Sequence, residues 1–176
     1  MKIEDMSLRD LALYISDRLR NQGVDAVLTG GACVTIYTDN KYMSYDLDFV
    51  PLHYTKRSKV GEILEEIGFV EEGGSFKNPQ TPFFIDFVAS PLAVGAEPVK
   101  VIEEIRSGNL LLKLLSPTDC VKDRLAAYYH WNDNQALDQA LLVCRDQVVD
   151  LKEVQRWSEN EQMGQKFKEF KRTLQN

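Results

Sequence analysis

The chain has 176 residues, enough for one full hydrophobic core or for one domain with a helical extension. Its 44% hydrophobic and 27% charged residues are ordinary for a soluble globular protein, and no apolar run approaches the ~20 residues of a membrane span, since Leu110–Leu115 is interrupted by Lys113. A net charge of −6 argues against a broad nucleic-acid-binding surface, while leaving room for a local basic site.

The opening MKIEDMSLRD is mixed and acidic, unlike a secretory signal. Cys33, Cys120 and Cys144 are odd in number and far apart, which suggests neither a disulfide framework nor a zinc site, so a reduced, cytoplasmic compartment is expected. Leu8, Leu11, Ala12, Ile15 and Leu19 mark a helical face within Ser7–Gln22, with Ser7 as N-cap and Gly23 as stop. Val24–Thr29 reads as a short buried strand. Gly30-Gly31 then opens a short helix over Ala32–Thr38, and Asp39-Asn40-Lys41 is turn chemistry. Tyr45–Val50 alternates as a strand, and Ser58–Gly68 is amphipathic. Phe69–Lys77 and Pro82–Ala89 look like a strand pair joined through Asn78-Pro79-Gln80. Val99–Ile105 and Asn109–Leu115 look like two more strands, hinged at Ser107-Gly108.

At Ser116 the character changes. Ser116-Pro117-Thr118-Asp119 supplies an N-cap, a proline at the first helical position and an acid at the third. Helices are expected over Pro117–Trp131, Gln135–Gln147 and Leu151–Lys171. The chain thus divides into a mixed α/β core over residues 1–115 and a helical region over 116–176 packed against it.

Strand side chains alternate, so Asp46 and Asp48 point one way while Leu47 and Phe49 point the other. Two acids side by side on a strand repel unless a cation lies between them, and magnesium suits hard oxygen ligands while keeping positions open for phosphates. Asp86 is the only charge in Phe83–Val88 and would be costly to bury alone. Placed beside Asp46 and Asp48 it completes a three-carboxylate site for one or two metal ions. A lone Asp-x-Asp pair is by default a solvated surface feature, and Asp86 on an edge strand would face water. Gly-Gly between a strand and a helix lets backbone N–H groups approach an anion at a helix N-terminus. Alone, the pair is also an ordinary tight turn. It lacks the third glycine of a Rossmann fingerprint and the Gly-Lys-Ser/Thr of a Walker loop.

Taken together, Gly30-Gly31, fourteen intervening residues, Asp46-Leu47-Asp48 and the later Asp86 resemble the nucleotidyltransferase superfamily related to DNA polymerase beta. The wider chain looks like bacterial nucleotidyltransferase-like proteins that include abortive-infection toxins. The resemblance implies a nucleotidyltransferase fold: a mixed β-sheet flanked by helices, with a C-terminal helical extension. It implies magnesium-dependent transfer of a nucleoside monophosphate from an NTP to an acceptor hydroxyl on RNA or tRNA, protein or a small molecule. In that reading Asp46, Asp48 and Asp86 are catalytic and hold the metal, and Gly30, Gly31 and Lys122 bind the nucleotide. Pro117–Ala127 matches the group's helical segment, which supplies that lysine, and Asp133 is the candidate for a later acid. The chain departs from the group at Tyr45, where a threonine is usual, and at Asn132-Asp133, where the toxins carry Arg-Asp. A non-catalytic nucleotide- or RNA-binding member, or a toxin–antitoxin component with an antitoxin partner, is the alternative.

Among the other residues, Lys122 is either a phosphate neutraliser or a partner in an ion pair along its helix. Asp133 also suits the cap of the next helix. His53 and His130 have no ligand spacing. Tyr128–Trp131 is expected to pack aromatics into the core rather than stack a base, and Lys166–Arg172 to dock Phe167 and Phe170.

Overall fold

The structure is a computed structural model and describes residues 2–175. Helix α1 (Leu8–Asn21) buries the expected face, and Ser7 with Asp10 forms a capping box that satisfies the Ser7 and Asp10 amides. Strand β1 (Ala26–Thr29), helix α2 (Gly30–Tyr37) and strand β2 (Asp46–Pro51) follow, then helix α3 (Arg57–Glu65). The stretch expected as one strand over Phe69–Lys77 is a hairpin, β3 (Val70–Glu72) and β4 (Ser75–Lys77). Gly73 and Gly74, at φ +62 and +94, make its turn, a conformation closed to most side chains. After β5 (Phe84–Phe87) comes a small hairpin without a sequence expectation, β6 (Ala93–Val94) and β7 (Glu97–Pro98). Strands β8 (Ile102–Ser107) and β9 (Leu110–Leu115) complete the mixed part.

The main sheet runs β3-β4-β5-β2-β1-β9-β8, with β2–β5 and β1–β9 parallel and the other pairs antiparallel. Strand β5 therefore lies between β4 and β2, so Asp86 is not on an edge strand. One face of β4-β5-β2 carries Phe76, Ile85, Leu47 and Phe49, all fully buried. Strand alternation sends Asp46, Asp48 and Asp86 to the opposite face.

Helix α4 (Pro117–Trp131) starts at the expected cap, Ser116 Oγ accepting from Asp119 N at 3.1 Å. Helix α5 (Asn134–Asp146) is capped by Asp133, whose carboxylate accepts from Ala136 N at 3.0 Å. The single helix expected over Leu151–Lys171 is two, α6 (Leu151–Asn160) and α7 (Gly164–Gln175), broken where Gln162 takes φ +61. Phe167 and Phe170 are buried as expected, and Tyr129 stacks on the buried Trp157, ring centroids 5.8 Å apart. Trp131 contradicts the aromatic-packing expectation by standing 82% exposed, as the last residue of α4. Among the described residues no helix is long and apolar enough to cross a membrane.

Candidate functional site

The parallel register of β2 and β5 sets Asp48 opposite Asp86 and Asp46 opposite Phe84. Paired residues share a face, so the three carboxylates occupy one face of two adjacent strands, which lie about 5 Å apart. Burial, followed by the charges of Asp46 and Asp86, pushes the Asp48 carboxyl up to about 6. Arg124 pulls it down, in part, from α4.

The glycine pair is shaped around these acids. Gly30 adopts φ +70, and a Cβ there would stand 2.4 Å from Asp48 Oδ2. Only glycine lets the carboxylate come so close to the first turn of α2. A Cβ on Gly31 would stand 3.0 Å from Ser44 Oγ, which donates to Asp46 Oδ1 at 2.7 Å. Ser44 is itself placed by Thr35, whose hydroxyl accepts Ser44 N at 2.9 Å and donates to Gly31 O at 3.3 Å. Thr29 bonds the Asp48 carbonyl at 3.2 Å, and no side chain caps α2. The start of α2 thus offers partial positive charge beside the acids.

On the far side stands Arg124. Its guanidinium holds Asp123 at 3.0 Å through Nε and 2.5 Å through Nη2, and Gln139 at 3.3 Å through Nη1. Burial works against its charge, but Asp123 more than offsets that and keeps it cationic. Tyr42 is raised by burial and by Asp46, and lowered by Arg124, which brings it into the same electrostatic cluster.

Lys122 takes up the ion-pair reading. Its side chain is 7% exposed, and Nζ is held by Glu153 at 2.8 Å and by Asp119 at 3.1 Å. It lines a separate cleft of about 390 Å³ with Glu97 and Trp157, and neither Asp46, Asp48 nor Asp86 borders that cleft. Hydrogen bonds from Arg156 and Lys122 draw Glu153 down to about 2. Asp133 caps α5 and also contributes to the field at Tyr42. Tyr45, at the usual threonine position, is 54% exposed and stacks on Phe83 at 6.1 Å. Ser44, Tyr42 and Arg124 were not singled out from sequence. Arg124 lies inside the Pro117–Ala127 segment, and only the rotational phase of α4 distinguishes it from Lys122.

Among the described residues no group of three or more His, Cys, Asp or Glu side chains is arranged to enclose a metal ion. The donor chemistry still suits magnesium, because that ion is usually held by one or two carboxylates and completed by substrate phosphates and water. Asp48, whose charge burial disfavours, and the two acids that share its face are hard oxygen donors that fit such a partial site.

The fold is similar to that of the solved antigenic nucleotidyltransferase-like protein from Paracoccidioides brasiliensis, with a TM-score of 0.58 and 13% identity over 77% of this chain and 74% of that one. No family model and no curated protein matches the chain. The likeness establishes a nucleotidyltransferase-like fold.

Proposed function

We propose that the protein is a magnesium-dependent nucleotidyltransferase, moving a nucleoside monophosphate from an NTP to an acceptor hydroxyl. The observation that carries this reading is the Asp48–Asp86 register, with Gly30 closed against Asp48 on the other side. Asp46 and Asp48 would hold the ion, with Asp86 as a third oxygen donor. Bound there, magnesium would supply charge neutralisation for the phosphates and acidify the attacking hydroxyl.

The remaining work falls to the chain itself. Backbone N–H groups at Gly30 and Gly31 bind the triphosphate at the uncapped start of α2. Arg124 replaces Lys122 as the cation on the α4 side, because its charge acts on Asp48 while Lys122 lines the separate cleft, held by two carboxylates. Asp86 takes the proton from the acceptor hydroxyl as its oxygen bonds to the α-phosphorus. The α–β bridging bond breaks and pyrophosphate leaves with that electron pair. Catalysis here is mainly positioning and charge stabilisation.

The test is incubation of the full chain with α-labelled NTPs, magnesium and RNA, protein or small hydroxyl acceptors. Label transfer that falls at least about a hundredfold in Asp46→Asn is the expected result. Transfer unchanged by that substitution sinks the reading. Magnesium-NTP stabilisation without any product identifies a non-catalytic nucleotide-binding member instead.

A further inference from the structure

The carboxylate-bearing face of the sheet continues past β5. The register aligns Val70, Lys77, Phe84 and Asp46 in one row across β3, β4, β5 and β2. Val70 is 61% exposed, Lys77 is exposed and Phe84 is half-buried, so this part of the face is open. The helix beside it, α3, sits on the other face, where Gly61 approaches the Phe76 ring and Arg57 lies over it. A groove of about 510 Å³ runs along the open row, lined by Val70, Lys77, Pro79, Pro82 and Phe84, with Glu71 and Glu72 on the outermost strand, β3.

Phe84 stands apart from the core. Of the eight phenylalanines, it alone is neither in the buried core cluster nor packed against it. Nor does its ring pair with another aromatic among the described residues. An aromatic face left free beside three carboxylates has a use if a planar group lies on it. Lys77 follows one strand further out, about 10 Å from Asp46 across two strand spacings. Its pairing with Glu72, at 3.2 Å, is exposed on both sides and weak, so the ammonium is available to an anion.

We propose that this groove seats the terminal nucleotide of the hydroxyl-bearing acceptor, its base on Phe84 against Val70, Pro79 and Pro82, and its phosphate near Lys77. The inference rests on the nucleotidyltransferase reading and adds the acceptor to it. In phosphoryl transfer the attacking and leaving oxygens lie roughly in line. Pyrophosphate departs toward the glycine turn, on the β1 side of the carboxylates. The attacking hydroxyl must then arrive from the β5 side, where Phe84, which lines the groove, stands beside Asp46 in the register. Stacking on one aromatic with one cation nearby recognises a single-stranded end.

Two sources share this chemistry: a free nucleotide, and the 3′ end of single-stranded RNA. The full chain is assayed with magnesium and α-labelled ATP, using cytidine 5′-monophosphate and a ten-nucleotide single-stranded RNA as acceptors. Label on at least one acceptor is expected, and which one takes it identifies the source. Phe84→Ala is expected to raise the acceptor KM about tenfold or more, and Phe84→Trp to restore it. The rise in Tm with magnesium-ATP should stay that of the unsubstituted protein. An unchanged acceptor KM in Phe84→Ala overturns the proposal, as does weakened ATP binding, which would assign the groove to the donor base. If magnesium-ATP raises the Tm but neither acceptor binds or takes label, the acceptor inference fails and the donor site stands. If magnesium-ATP leaves the Tm unchanged, both readings fall.

Discussion

Asp48 is crowded on three sides: Asp46 two residues away on its own strand, Asp86 across the parallel ladder, and Gly30 pressed close enough that no side chain fits between. Its carboxyl, pushed up to about 6 chiefly by burial, binds more protons folded than unfolded between about pH 4 and pH 6. Stability from this group is therefore highest below pH 4, falls as pH rises toward 6, and stays low above it. The faces around Asp48 bring Asp46, Asp86 and Asp123 as acids and Arg124 as the base. In chelator, Asp48→Asn should raise stability at pH 7.5 by about 1–2 kcal/mol after discounting for solvent screening, and by nothing below pH 4. Urea melts across pH check this, and a variant less stable than its parent at pH 7.5 would contradict the crowding. Gly30→Ala tests the same contact from the opposite wall. Its φ of +70 and a Cβ 2.4 Å from Asp48 Oδ2 should cost about 1–3 kcal/mol. The variant should also lose the thermal shift with magnesium-NTP, while Gly73→Ala, whose Cβ meets open space, should keep that shift.

Helix α4 decides which cation serves the site. Residues two apart on a helix point about 200° away from each other, so Lys122 and Arg124 cannot both face the carboxylates. Lys122→Met should destabilise by about 2–4 kcal/mol, because it strands Asp119 and Glu153 around a buried position. Its magnesium-NTP affinity, measured on the folded fraction by calorimetry, should remain within about twofold. Arg124→Met should weaken that affinity about tenfold or more. The opposite ranking would return the nucleotide to Lys122. The same helix illustrates what the sequence makes legible. Its ends were readable because Ser116, Pro117 and the next cap at Asp133 are local signals, as are Ser7 and Gly23 around α1. The shared face of Asp46 and Asp48 followed from strand alternation alone. The pairing of β2 with β5 joins residues 38 apart, and no local pattern encodes it. Strands of two or three residues, as in β3, β4, β6 and β7, are too short for alternation to register. The α6–α7 break rests on Gln162 in a conformation its side chain does not advertise. Arg124 escaped notice because the phase of α4 against the sheet is set by packing.

At the scale of the molecule, the sheet and the helical region share one hydrophobic core that runs from Met6 to Phe170. Helix α2 shows why the two depend on each other. It is apolar on nearly all sides, burying Ala32, Cys33, Val34 and Thr35, and it touches the sheet on one side and α4 and α5 on the other. Polar ties cross the same boundary: Lys41 Nζ donates to Asp146 Oδ1 at 2.6 Å, and Gln147 Nε2 donates to Tyr37 O at 2.7 Å. A fragment of residues 1–115 would expose the outer side of α2 and lose Arg124 from the carboxylate face. It would also strip the cover that α4 gives β9. Such a fragment should keep part of its far-UV circular dichroism but lose its near-UV signal and its cooperative melt, the signature of secondary structure without fixed packing. Adding residues 116–176 as a separate polypeptide should restore both signals together with the magnesium-NTP thermal shift, since it returns the apolar surface that covers α2 and β9. A cooperative melt from residues 1–115 alone would mean that the sheet carries its own core and that the helices are an attachment. In that case the charge opposing Asp48 from α4 would be an accessory to the site rather than part of its foundation.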